Sequence, residues 1–141
     1  MPEHALLSVS PEGVHGRLSQ LLRDELSETI SYGPAGFAFA LGRRQGRRLH
    51  RIGSIIVSQS DWPERPGEEW LHASIARDDR MPSYADLTAL HKAVFGARYA
   101  YQVFAPPSRH VNIHPNALHL WGRVDDGDGR ILPDFGTAGT I

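Results

Sequence analysis

The chain contains no cysteine. Disulfides, thiolate catalysis and cysteine-ligated zinc are thereby excluded. Lysine is almost absent as well. Lys92 stands alone, so 14 of the 15 basic residues are arginine. A GC-rich coding genome accounts for that bias, although arginine also suits bidentate contacts to phosphate or carboxylate. Excess charge of one sign is lacking too: the formal net charge is -1 with eight neutral histidines. This argues against a general electrostatic grip on nucleic acid or anionic lipid. A local patch keeps nucleic acid open as a partner, whereas a membrane is not expected. No apolar run approaches the ~18 residues that span a bilayer. Met1 to Ser10 lacks the basic end and apolar stretch of a secretory signal. The expectation is a cytoplasmic protein.

What is present suffices for a core. The 141 residues match one ordinary domain, and 40% hydrophobic with 22% charged residues lies near the globular average. The chain reads as a single domain, 1–141. An N-terminal helix and an arginine turn occupy 1–51, the central part 52–124, and a tail 125–141. Ser10-Pro11-Glu12 carries helix-start chemistry: N-cap, N1 proline and an early acid. Val14, Leu18, Leu21, Leu22, Leu26 and Ile30 then recur at helical spacing, which predicts a helix over 11–31. Gly33-Pro34 ends it.

Phe37 to Leu41 is a short apolar run. Arginines at 43, 44, 47, 48 and 51 surround Gly46, as in a hairpin tip or the start of a strand. The solvated turn is the favoured reading there, over an anion or RNA contact. Ile52 to Gln59 reads as a strand, and 61–69 as a loop. Trp70 to Arg77 alternates, with Leu71, Ala73 and Ile75 on one face and Trp70, His72, Ser74 and Ala76 on the other. Arg77-Asp78-Asp79-Arg80 reads as a solvated connection. Ser83 with Asp86 opens a second helix whose apolar side is Leu87, Leu90, Val94 and Phe95, and Gly96 closes it. Ala100 to Phe104 is a third strand, 106–116 a long irregular connection, and Leu118 to Val124 a fourth strand. That last strand turns His119, Trp121 and Arg123 one way. The expected fold class is α+β, a mainly antiparallel sheet of four to five strands with two helices. The apolar strand faces pack on the second helix. The first helix either covers part of the Trp/His face or packs beside the second.

Three constellations could carry chemistry. His110, His114 and His119 form a zinc candidate, since three imidazoles and one open position is a catalytic zinc pattern. Pro115 prevents a helical i, i+4 pair, however, and no acid lies between Ser108 and Val124. Sheet and loop histidines satisfied by hydrogen bonds are the plainer reading, and no cofactor is expected. Secondly, His72-Ala73-Ser74 fits one motif of the paired-histidine phosphodiesterases, in which one histidine is base and the other acid. Leu118-His119-Leu120-Trp121 fits only the histidine of the second motif. Thirdly, Trp70, Trp121 and Arg123, with Arg109 and Arg77 adding charge, could make a stacking and anion-holding face for a nucleotide or peptide. The same tryptophans could equally fill a second small core.

Four stretches also carry a resemblance. They are Glu69-Trp70-Leu71-His72-Ala73-Ser74, Met81-Pro82-Ser83-Tyr84, Val111-Asn112-Ile113-His114-Pro115 and Leu118-His119-Leu120-Trp121. Together they resemble a family of small uncharacterised domains found largely in bacteriophage genomes. The resemblance spans about 52–124 and omits the first helix and the arginine turn. It implies a phage or prophage origin and an accessory role inside an infected host cell, or else a minor virion component. It singles out Asn112, His114, His119 and Trp121. The resulting expectation is a non-enzymatic accessory protein that binds a host macromolecule or small ligand. The binding set is Trp70, His72, Ser74, Arg109, Asn112, His114, His119, Trp121 and Arg123, with the 106–116 loop. The alternative is a small hydrolase, phosphodiesterase or nuclease, that uses His72, His114 and His119 with or without zinc. Oligomeric state is left open.

Overall fold

A computed structural model describes residues 9–33, 36–61, 69–96, 100–103, 116–123 and 139–140. Helix α1 spans Pro11–Leu22. Its N-cap is Ser10, whose hydroxyl accepts from the Gly13 amide at 3.3 Å. Val14, Leu18 and Leu22 form its buried stripe. The helix stops well short of residue 31. Arg23 turns the chain with φ 47°, a short 3-10 turn covers Arg23–Glu25, and strand β1 runs Leu26–Gly33. The reason lies in the spacing. Leu26 and Ile30 are four apart, which satisfies the helical period and strand alternation alike. The β-branched pair Thr29-Ile30 favours the strand. His15 Nε2 donates to the Ser27 carbonyl at 2.6 Å and ties the helix to it.

Strands β2 (Gly36–Gln45), β3 (Arg48–Asp61) and β4 (Glu69–Arg77) follow, then helix α2 (Tyr84–Val94) and strands β5 (Tyr101–Val103), β6 (Ala117–Arg123) and β7 (Gly139–Thr140). They form an α+β fold with one antiparallel sheet, ordered β1-β2-β3-β4-β6-β5-β7. Five strands are long and β5 and β7 are short. The β2–β3 connection takes Gly46 at φ 66° as the first of its two turn residues. That conformation favours glycine and matches the twist of a tight hairpin. Helix α2 has the expected capping box between Ser83 and Asp86, and Gly96 follows its end with φ 61°.

One face of the sheet carries the apolar core. Phe37, Phe39, Leu41, Ile55, Val57, Leu71, Ala73, Ile75, Leu118 and Leu120 pack there against α1 and α2. The two helices touch each other, and Arg17 Nε donates to the Ala93 carbonyl at 2.9 Å. Helix α1 therefore lies beside α2 on this face, leaving the Trp/His face to the other side of the sheet.

Arg77 corrects the solvated reading of the Arg77 to Arg80 connection. Its parity places it on the core face, where it is fully buried. Its guanidinium donates to Glu25 at 2.6 Å, to Asp79 at 3.2 Å and to Asp86 at 3.5 Å. Arg80 also donates to Asp86, at 2.8 Å. Burial alone would lower the Arg77 pKa, but the hydrogen bonds to Glu25 and Asp79 outweigh it and raise the value. Burial likewise opposes ionisation of Asp86, yet Arg80 and the Ser83 amide hold its carboxyl below the usual range. The cluster anchors β4, the turn before β1 and the start of α2 to one another.

A buried histidine pair as candidate functional site

Strands β4 and β6 are direct neighbours. Their register sets His72 opposite Trp121, Ser74 opposite His119 and the Trp70 backbone opposite that of Arg123. Trp70, His72, Ser74, His119 and Trp121 thus share one face, as strand alternation predicts. All five are buried, the most accessible being Ser74 at 7%. Arg109, His110, Asn112 and His114 lie outside the described residues, as does nearly all of the 106–116 loop. Arg77 points to the opposite face and does not join the set.

His72 and His119 sit diagonally across the strand pair and touch. His72 Nε2 and His119 Nδ1 are 2.9 Å apart and share a hydrogen bond. The rings are nearly parallel, with centroids 5.1 Å apart. Trp121 closes on His72 with centroids at 4.7 Å. A neutral imidazole has one N–H and one bare nitrogen. Whichever ring donates in the shared bond, the outer nitrogens comprise one N–H and one lone pair. These are His72 Nδ1 and His119 Nε2, both buried and without a hydrogen-bond partner among the described residues. An unmet buried group of this kind costs about 1–3 kcal/mol.

Burial pushes the His72 pKa down to about 3, with the neighbouring His119 adding to the effect. Burial lowers His119 as well. Both rings are therefore neutral near pH 7, and neither is an imidazolium acid there. The shared bond also leaves no room for a phosphate between the two nitrogens. As a metal site, the pair offers two imidazoles. Among the described residues no group of three or more histidine and acidic side chains is placed to hold an ion.

The rest of this face slopes into a depression. One cross-strand row runs Ser31, Ala38, Ile56, Ser74 and His119, and the next runs Gly33, Gly36, Ser58, His72 and Trp121. The first three members of each row are small, apart from Ile56. They floor a shallow, mainly apolar depression of about 300 Å³, edged by Tyr32. Ile56 remains 46% exposed. Sequence reasoning missed this depression. Its signal was the run of small residues at alternate positions of β2, which becomes meaningful only once β1 to β3 are aligned.

No curated protein and no solved structure matches the chain. Residues 62–125 match the model of a family described as Domain of unknown function (DUF7694). The matched stretch holds β4, α2, β5, β6 and all the Trp/His residues of the site, and it excludes α1, β1, β2 and β3. The chain is thus similar, over the strands that build the histidine pair, to an uncharacterised domain family.

Proposed function

We propose that this chain is a non-enzymatic accessory protein, of phage origin as the resemblance implies, that works in the cytoplasm of an infected cell by binding a small, largely apolar ligand. The ligand lies on the Trp/His side of the sheet. One observation carries this reading: the depression of about 300 Å³ adjoins the histidine pair in the same two cross-strand rows. That volume is at the lower end for small-molecule sites. Ile56 and Ala38 supply apolar contact, and the hydroxyls of Ser31 and Ser58 supply polar ends. Trp121, His72 and His119 continue the same two rows beyond it, buried and uncharged. The neutrality of both histidines favours binding over the acid–base exchange that a hydrolase asks of them.

The test uses 1-anilinonaphthalene-8-sulfonate, whose fluorescence rises on apolar surfaces. The folded chain is expected to bind it saturably, one dye per chain. Ile56→Glu is expected to weaken binding at least tenfold while leaving the circular dichroism unchanged, because Ile56 is half exposed. Equal dye binding by both proteins would remove the depression as the site. Hydrolysis of bis(p-nitrophenyl) phosphate that disappears in His72→Gln and His119→Gln would favour the enzyme instead.

A further inference from the structure

The β2–β3 hairpin outruns its neighbours. Strand β1 leaves β2 at Leu41, and β4 leaves β3 at Gly53. Strands β2 and β3 pair on alone, from Gly42 opposite Arg51 to Gln45 opposite Arg48. The result is a two-stranded arm about 13 Å long at ~3.3 Å per residue. It carries Arg43, Arg44, Arg47, Arg48 and Arg51, all exposed, together with exposed His50. No acidic residue occurs between Glu28 and Asp61. A chain of net charge -1 thus concentrates five positive charges on one projection. Arg43 is held by Asp79 at 2.8 Å, and Arg44 lies 3.7 Å from exposed Glu28. Arg47, Arg48 and Arg51 have no such partner among the described residues.

From this placement we infer that the arm is a binding element for duplex nucleic acid, with Arg47, Arg48 and Arg51 neutralising backbone phosphates. Three features favour a duplex. A two-stranded ribbon fits the major groove of B-form DNA, about 12 Å wide. Alternation sends Arg44 and Arg51 to one face of the arm and Arg43 and Arg48 to the other, so that both phosphate walls of a groove are met. Residues 42–52 include no Trp, Tyr or Phe, whereas single-strand binders stack bases on aromatic rings. Arginine's planar fork suits phosphate oxygens. Contacts to phosphate carry no sequence information, so the contact assigned to these arginines is independent of sequence.

The experiment is fluorescence anisotropy with a labelled mixed-sequence DNA duplex, its single strand, and phosphatidylserine vesicles in parallel. Three phosphate contacts give a log–log salt slope of about -2.7, hence about a 40-fold loss of affinity between roughly 50 and 200 mM salt. The triple variant R47Q/R48Q/R51Q is expected to lose duplex binding at least tenfold and to lose the salt dependence, with unchanged circular dichroism. R47K/R48K/R51K is expected to retain binding within a few fold. Absence of salt-dependent duplex binding overturns the inference. So does equal binding by the glutamine variant, or equal loss in the lysine and glutamine variants. Preference for the single strand, or binding to vesicles alone, overturns it too.

Discussion

Acid should destabilise this protein well above the carboxylate range, through His72. In the unfolded chain the imidazole titrates at its ordinary 6.5, and in the fold burial lowers it to about 3. Between those values the unfolded chain binds the proton and the folded chain does not. Stability is therefore fully present above pH 6.5 and falls as the pH drops toward 3. The slope is about 1.4 kcal/mol per pH unit for one such group. From about pH 6.5 to about pH 4.5 the loss from His72 comes to about 2 kcal/mol, a large part of the ~5–15 kcal/mol typical of a domain. His119 is lowered by burial and adds in the same direction. Asp79 and Asp86 are held below their ordinary 3.8, so they contribute only at lower pH. The assay is urea unfolding followed by tryptophan fluorescence at several pH values in that window, on the native chain and His72→Gln. The variant is expected to be less stable near neutral pH and to show a slope shallower by about 1.4 kcal/mol per unit. A native chain whose stability is flat between about pH 6.5 and 4.5, or an unchanged slope in the variant, would show that His72 is not held neutral by burial.

Other substitutions probe the parts that hold the site in place. Arg77→Met leaves Glu25, Asp79 and Asp86 without their shared cation and should cost about 3–5 kcal/mol in urea unfolding; a loss under about 1 kcal/mol would show that the cluster contributes little. Ser83→Ala removes the capping-box acceptor for the Asp86 amide and should cost about 1 kcal/mol by the same measurement. Gly53→Ala drives a methyl group into the Ala76 carbonyl, so it should separate β3 from β4 and shift amide signals along both strands in NMR spectra; an unchanged spectrum would contradict the register.

Much of the fold was legible because its periods are clean. The alternation of Leu71, Ala73 and Ile75 against Trp70, His72 and Ser74 survives intact in β4, and Ser83 with Asp86 marks α2 correctly. Strand β1 was hidden because Leu26 and Ile30 continue the helical spacing of Leu18 and Leu22, and a gap of four residues does not distinguish the two periods. The site was legible as two half-sites. That His72 and His119 touch depends on β4 lying beside β6, which is a matter of strand order. No local pattern encodes that order, since α2 and β5 intervene in the chain. Arg77 was misread for a similar reason. Its partners Glu25 and Asp86 come from distant segments, and an arginine followed by two acids looks like surface until they converge.

Strands β4 and β6 hold His72 and His119 as a neutral, hydrogen-bonded pair on the face that adjoins the depression. Imidazole nitrogen-15 NMR tests it most directly. A scalar coupling is expected across the shared bond between the two rings, with His72 remaining neutral to about pH 5, well below its ordinary pKa. Absence of that coupling, together with His72 titrating near 6.5 as a solvated histidine does, would contradict it.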